Sequence, residues 1–241
     1  ARHGGAIFNY DGGIATVINS NFINTSTKFM GGAIYSTKNT FVLNSTFINT
    51  KATNLNGNGV RGGSILCTAN LYVLDSEFIN TYAFTSGGAI YGKNVNVVDS
   101  EFINTATGNF GGSIYSADVV TVINSTFTNT TATTGSDIYA TSGNVTLICN
   151  DYDGKARYIN ITEVYLDTNA KLVTYIVSGT FAEVQYRIDT TPENGVLNLE
   201  NKKYTADEND VAIVIDKNIT INGQGATLDG LEIINAFNIT N

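Results

Sequence analysis

The sequence predicts an all-β protein: a right-handed parallel β-helix, with the short helix-capped start of a second β-helix at its C-terminal end. Three observations predict it. A double-glycine marker recurs at Gly4, Gly31, Gly62, Gly87 and Gly111, with a reduced copy, GSDI, at Gly135. A Phe-x-Asn marker recurs at Phe22, Phe47, Phe78, Phe102 and Phe127, and Tyr152 takes the aromatic place in the sixth copy. Between the markers lie short β-branched runs such as FVLN, VNVVD and VTVIN, without helical periodicity. Each repeat has room for about three short strands. A unit this small cannot bury its apolar face alone, but a stack of coils can. Stacking places equivalent residues in register, about 4.8 Å apart. A propeller blade would need a longer repeat with four strands and hairpin turns. A leucine-rich repeat would need Leu where this chain has Ile, Val and Phe.

Residues 1–153 are predicted to form about six coils. Ile7, Ile34, Ile65, Ile90, Ile114 and Ile138 follow the glycine markers and are expected to face the core, because their preceding neighbours vary among Ala, Ser and Asp. The next residue then faces out: Phe8, Tyr35, Leu66, Tyr91, Tyr115 and Tyr139. The double glycine suits a corner that needs positive φ or close approach to the next coil. Asn24, Asn49, Asn80, Asn104 and Asn129 are expected to stack as an inward amide ladder. If Phe and Asn of one marker both face in, the Ile between them is left outward, giving an apolar stripe of Ile23, Ile48, Ile79 and Ile103. The insertion ATNLNGNGVR, 52–61, reads as a surface loop on one coil.

The repeat stops after 153. Residues 154–178, with the strand-like runs RYINITEVYL and KLVTYIV, read as a β-rich connector. Residues 179–241 read as a cap helix and the first coils of a second β-helix. Thr180 and Glu183 make a capping-box pattern, Phe181, Val184, Gln185 and Ile188 share a helical face, and Pro192 and Gly195 close it. The alternating runs GVLNL, VAIVI, NITI and ATLDG follow.

Composition narrows the function. The net charge is −8 with only 14% charged residues, which argues against nucleic acid and anionic membranes as partners. No apolar run approaches the roughly 18 residues of a membrane-spanning helix, so no membrane insertion is expected in this segment. With one histidine, His3, read as an exposed residue, and two cysteines outside any CxxC pair, neither a metal site nor a cofactor is expected. Cys67 and Cys149 lie about three coils apart, roughly 14 Å, which is too far for a disulfide.

Two clusters are candidate sites. Asp75 and Asp99 stand where other coils carry Asn19, Asn44 and Asn124, and Glu77 and Glu101 follow two residues later. Stacking would gather four carboxylates, suited to a cation or, with carboxyl groups about 5 Å apart, to glycoside chemistry. Ordinary Asn-to-Asp variation on a solvated face is the plainer reading. The outward column Tyr35, Tyr91, Tyr115 and Tyr139 suits stacking on sugar rings or packing against a neighbour, and equally suits cross-strand stabilisation. Asn-x-Ser/Thr acceptors for glycosylation are Asn44, Asn124, Asn144, Asn160, Asn218 and Asn238, with Asn144 and Asn160 outside the regular coils.

The repeated GGAIY with NSTFxN, followed by TFAEVQYRI, NGVLNLENKKY and IDKNITINGQGATLDG, resembles the adhesin-like surface proteins of methanogenic archaea. It is also similar to the repeats of chlamydial polymorphic outer-membrane proteins, which carry Phe-x-x-Asn where this chain has Phe-x-Asn-Thr. The resemblance implies a cell-surface or secreted location and a non-enzymatic rod for attachment or surface architecture. The alternatives are a polysaccharide-binding module using the Tyr column and a β-helical polysaccharide lyase or hydrolase. The chain opens inside a repeat and stops among solenoid strands, so either it is a piece of a longer protein or its open ends meet. In the second case the expected partner is a second copy joined head to tail; glycans or other cell surfaces are the further candidates.

Overall fold

The computed structural model describes residues 1–54, 59–153, 163–207, 210–232 and 234–239. The chain is a β-solenoid of parallel coils, about nine in all. It divides into two compact units, Ala1–Tyr175 and Ile176–Asn241.

In the first unit the coils repeat strands in up to three sheets, and these pair in parallel with their counterparts in the next coil. One sheet carries Ile65–Leu74, Ile90–Val98 and Ile138–Ile148; a second carries Thr46–Ile48, Glu77–Ile79 and Glu101–Ile103; a third carries Lys51–Ala52, Tyr82–Ala83 and Ala106–Thr107. The register is the one the markers predict. Ile90 pairs with Ile65 and Ile114, and Phe78 with Phe47 and Phe102. The Ile column is fully buried from Ile34 to Ile138. Beside it the rings of Phe22, Phe47, Phe78, Phe102, Phe127 and Tyr152 stack at 4.8–5.3 Å, so the coil rise and the ring spacing coincide.

The two glycines of each marker do different work. Gly62 adopts φ +66°, a conformation that L side chains rarely adopt. Gly63 has no such torsion, but a Cβ on it would lie 2.0 Å from the carbonyl oxygen of Gly88 in the coil beyond. Positive φ and close approach are both required, one at each glycine.

Two expectations about side-chain direction need correction. The Asn ladder exists, with Asn49, Asn80, Asn104 and Asn129 each donating from Nδ2 to the Oδ1 of the preceding rung at 2.7–3.3 Å, but it faces outward. Each of these Asn residues sits near φ +54°, in the left-handed region that Asn tolerates best after Gly. That corner interrupts strict alternation, so the Ile and the Asn after each inward Phe both point out, and the following Thr returns to the interior. The outward Ile stripe is present, with Ile23 the most exposed of it at 55%. The second correction concerns the variable residue before the core Ile. Ala33, Ser64, Ala89, Ser113 and Asp137 are all buried rather than outward. Where this residue is polar, it hydrogen-bonds a Thr that precedes the same marker. Ser64 bonds Thr50 at 2.5 Å, Ser113 bonds Thr105 at 2.6 Å, and Asp137 accepts from Thr130.

The segment read as a connector is in part the next coil. Val164–Ile176 pairs with Ile138–Ile148, and Asp137 and Ile138 donate their N–H groups to the carbonyl of Glu163. Val164 enters the core where other coils place Ile, and Tyr165 stacks on Tyr139. The packed unit therefore runs to Tyr175, not to 153. No glycine marker precedes Val164, which hides the coil in the sequence. Residues 154–162, which include Asn160 and most of RYINITEVYL, lie outside the described residues, as do 55–58 of the insertion. Ala52 and Val60, inside the expected loop, are both fully buried, so its ends belong to the body of the coil.

In the second unit the helix spans Phe181–Thr190, capped by Thr180, whose side chain accepts from the Glu183 N–H at 3.3 Å. Phe181, Val184 and Ile188 are buried as the spacing predicts. Gln185 serves otherwise: its Oε1 accepts from the Val214 N–H at 2.7 Å and its Nε2 donates to the Val214 carbonyl at 3.2 Å. One side chain thus satisfies both backbone groups of a strand residue. Three parallel pairs complete two coils: Val196–Asn198 with Thr220–Asn222, Lys203–Thr205 with Thr227–Asp229, and Ile213–Ile215 with Phe237–Ile239.

Candidate functional site

The outward aromatic column forms as expected and is one rung longer. Phe8 stacks on Tyr35 at 5.2 Å, Tyr91 on Tyr115 at 4.7 Å, Tyr115 on Tyr139 at 5.2 Å and Tyr139 on Tyr165 at 5.1 Å, with planes within 18° of parallel. Leu66 takes the rung between Tyr35 and Tyr91 and is 2% exposed. The free end of the Tyr91 stack is closed by Arg61, whose guanidinium lies 4.8 Å from the ring centroid and donates to the Tyr91 hydroxyl at 3.1 Å. Tyr139 is buried, donates to Asp167 at 3.1 Å, and has its phenol pushed up to about 12 by burial first and by the Asp167 hydrogen bond second.

This geometry decides what the column can do. A ring stacked on both sides offers solvent its edge and hydroxyl, not its face. Sugar rings dock on aromatic faces, where their C–H groups meet the negative π surface. The faces of Tyr115 and Tyr139 are taken by other rings, and those of Tyr91 by Tyr115 and Arg61. Tyr91, Tyr115 and Tyr139 therefore serve packing and leave no bare ring face for a sugar.

His3 is not simply exposed. It bridges Met30, and its ring sits 5.3 Å from Tyr35, 5.9 Å from Phe29 and 6.2 Å from Phe8.

The four carboxylates stack as two separate pairs. Glu77 pairs in register with Glu101, while Asp75 and Asp99 occupy left-handed corners two residues earlier, at φ +47° and +49°. Asp99 is already used, accepting from Asn124 Nδ2 at 2.6 Å. Among the described residues no three His, Cys, Asp or Glu side chains converge as a metal-binding group. Asp75, Glu77, Asp99 and Glu101 are therefore not gathered into such a group.

Of the glycosylation candidates, Asn44, Asn124 and Asn218 each spend Nδ2 on a ladder bond, to Asn19, Asp99 and Asn194 at 2.6–2.8 Å. Asn144 and Asn238 are exposed strand residues. Neither cysteine forms a disulfide, as the spacing predicts. Cys67 is buried, which pushes its thiol up, and Cys149 takes a left-handed corner at φ +53° where most coils carry Asn or Asp.

The second unit holds a charged cluster that the sequence reading missed. Glu183 is fully buried, accepts from the Gly179 N–H at 2.6 Å, and pairs with Arg187 at 2.8 Å and Lys202 at 3.1 Å. Glu200 closes the group against the same two cations. The cluster anchors helix to coil, and its charged members come from residues up to 19 positions apart.

Repeated ladders, a stacked core and fixed register define the chain as a β-solenoid repeat protein. Compared with known protein families, curated proteins and solved structures, it gives no match.

Proposed function

We propose that the protein is a non-enzymatic rod of the adhesin-like type, displayed outside the cell for attachment or surface architecture. The observation that carries this reading is the repetition of the outer face. Outward amide and aromatic rungs recur along the coils, linked to the next rung by hydrogen bonds or ring stacking, while a buried Ser ladder ties the coils from within, so the stack resists bending and presents a repetitive, mostly uncharged surface. The resemblance of the GGAIY and NSTFxN repeats to adhesin-like surface proteins points the same way, as does the neutral polar composition of the ladders. Head-to-tail association of copies belongs to the same proposal.

Antibodies raised against the folded chain test the location. They are expected to label intact producing cells, and brief protease treatment of those cells should remove the label. Labelling that appears only after lysis would contradict the proposal.

A further inference from the structure

A second outward column runs beside the Tyr column, on the other limb of the same sheet: Thr16, Phe41, Tyr72, Asn96, Thr121 and Thr146 in register. Phe41 and Tyr72 stack at 4.8 Å with planes 7° apart. The stack then stops, because the next rung is Asn96. One face of Tyr72 is covered by Phe41, and the other looks along the column over Asn96. Among the described residues no ring or cation caps that side of Tyr72, unlike both sides of Tyr91, Tyr115 and Tyr139.

A recess lies there. The bend between the two limbs is one residue shorter in this coil than in its neighbours. Gly92 pairs with Cys67 and Asn94 with Asn70, so Lys93 alone spans what Thr68 and Ala69 span in the coil before. On the other side Gly92 and Val95 pair with Ser116 and Val120, again with one residue fewer. The shortening requires Gly92, whose Cβ would lie 2.3 Å from Val95 Cγ2. The indented coil leaves a recess of about 130 Å³ lined by Tyr72, Asn94, Asn96, Val119 and Thr121. Asn94 is committed, donating to Asn70 at 2.8 Å and accepting from the Val119 N–H at 3.3 Å. No side-chain hydrogen bond among the described residues engages the Asn96 amide or the Thr121 hydroxyl. The lining carries no charge.

We propose that this recess binds one neutral pyranose ring of a glycan. Tyr72, 39% exposed, offers the side of its ring that no other ring covers to the C–H face of the sugar, above the shorter Asn96 side chain. The Asn96 amide, with a donor and an acceptor on one plane, and the Thr121 hydroxyl take ring hydroxyls. Val119 walls the apolar edge. The volume falls below the roughly 300 Å³ at which drug-sized pockets begin, which restricts the occupant to a single ring with its outer edge in water. An uncharged lining on a chain of net charge −8 gives an acidic sugar nothing to pair with. The site stands independently of the location proposed above, and its failure would leave the rod unaffected.

Saturation-transfer NMR on the whole chain tests it, with the methyl pyranosides of glucose, galactose and mannose as probes and methyl glucuronide as the charged comparison. Transfer to at least one neutral pyranoside is expected, weaker by about tenfold or more in Asn96→Tyr, which places a ring over Tyr72. That variant extends the Phe41–Tyr72 stack and is expected to melt no lower than the parent. Should it fold poorly, Thr121→Val removes one hydroxyl from a β-compatible position and is expected to weaken transfer as well. Absence of transfer to all three neutral probes, a preference for the glucuronide, or transfer unchanged by the folded variants would overturn the proposal.

Discussion

The hydroxyls of Thr105 and Ser113 meet 2.6 Å apart in the dry interior of the stack. Two coils share that hydrogen bond, and the same place in other coils shows what it replaces. Thr81 precedes Ala89, Thr25 precedes Ala33, and both threonine hydroxyls are buried without a partner among the described residues. Ala89→Ser should supply the missing partner and stabilise the protein by about 1 kcal/mol, while Ser113→Ala should cost about 1–3 kcal/mol by orphaning Thr105. Denaturant midpoints of the two variants, at unchanged slope, check both signs.

The glycine markers give a paired test. A methyl on Gly63 meets a backbone oxygen that cannot move without its coil, whereas one on Gly13 meets nothing within 4 Å. Gly63→Ala is expected to lower the melting temperature by many degrees, and Gly13→Ala to leave it unchanged or raise stability by about 0.4–1 kcal/mol through the unfolded chain. Calorimetry on both separates steric need from general glycine loss.

The outward Asn ladder combines a backbone and a side-chain contribution, and Asn104 can separate them. Asn104→Gly keeps the left-handed corner and loses only the bonds to Asn80 and Asn129. Asn104→Ala loses the bonds and adds a left-handed penalty of about 1–2 kcal/mol. The order of stability should be Asn, then Gly, then Ala; equal values for Gly and Ala would show that the corner conformation carries no cost.

The charged cluster of the second unit makes it acid-sensitive. Burial pushes the Glu200 carboxyl up, but hydrogen bonds from Lys202 and Arg187 outweigh it and hold the group below the usual glutamate range. A depressed folded-state value means the stabilisation is complete above the unfolded value, about 4.3, and drains away as pH falls through the folded one. The Glu200 side chain is half exposed, so solvent screens part of the effect. Hydrogen exchange of the helix Phe181–Thr190 should accelerate as pH drops below about 4, after correction for intrinsic rates, and Glu200→Gln should flatten that dependence.

Much of this architecture is written in the spacing of the markers, because an in-register stack forces equivalent residues into columns. Ile, Phe and Tyr columns follow from period alone. Direction at the corners does not, since a left-handed Asn or Asp resets the alternation that strand parity assumes. Burial of Glu183 is hidden because one of its two cationic partners, Lys202, is set by the docking of helix on coil. The Val164 coil is hidden because its core Val and outer Tyr165 lack the glycine marker. The Tyr72 recess was missed for a subtler reason. It arises from a single residue too few at Lys93, which only comparison of neighbouring coils in register exposes.

The central claim is that an in-register stack holds side chains outside the protein at fixed axial intervals, and a spectroscopic ruler tests it most directly. Spin labels at Thr16 and Thr121 are four coils apart, and at Thr16 and Thr146 five. In a background of Cys67→Ser, matching Ser36 and Ser116 in register, and Cys149→Asn, matching the other corners, pulsed dipolar spectroscopy should give narrow distributions about 5 Å apart, near 19 and 24 Å before allowance for the linkers. Equal distances, a reversed order or broad distributions for both pairs would contradict the stacked rod.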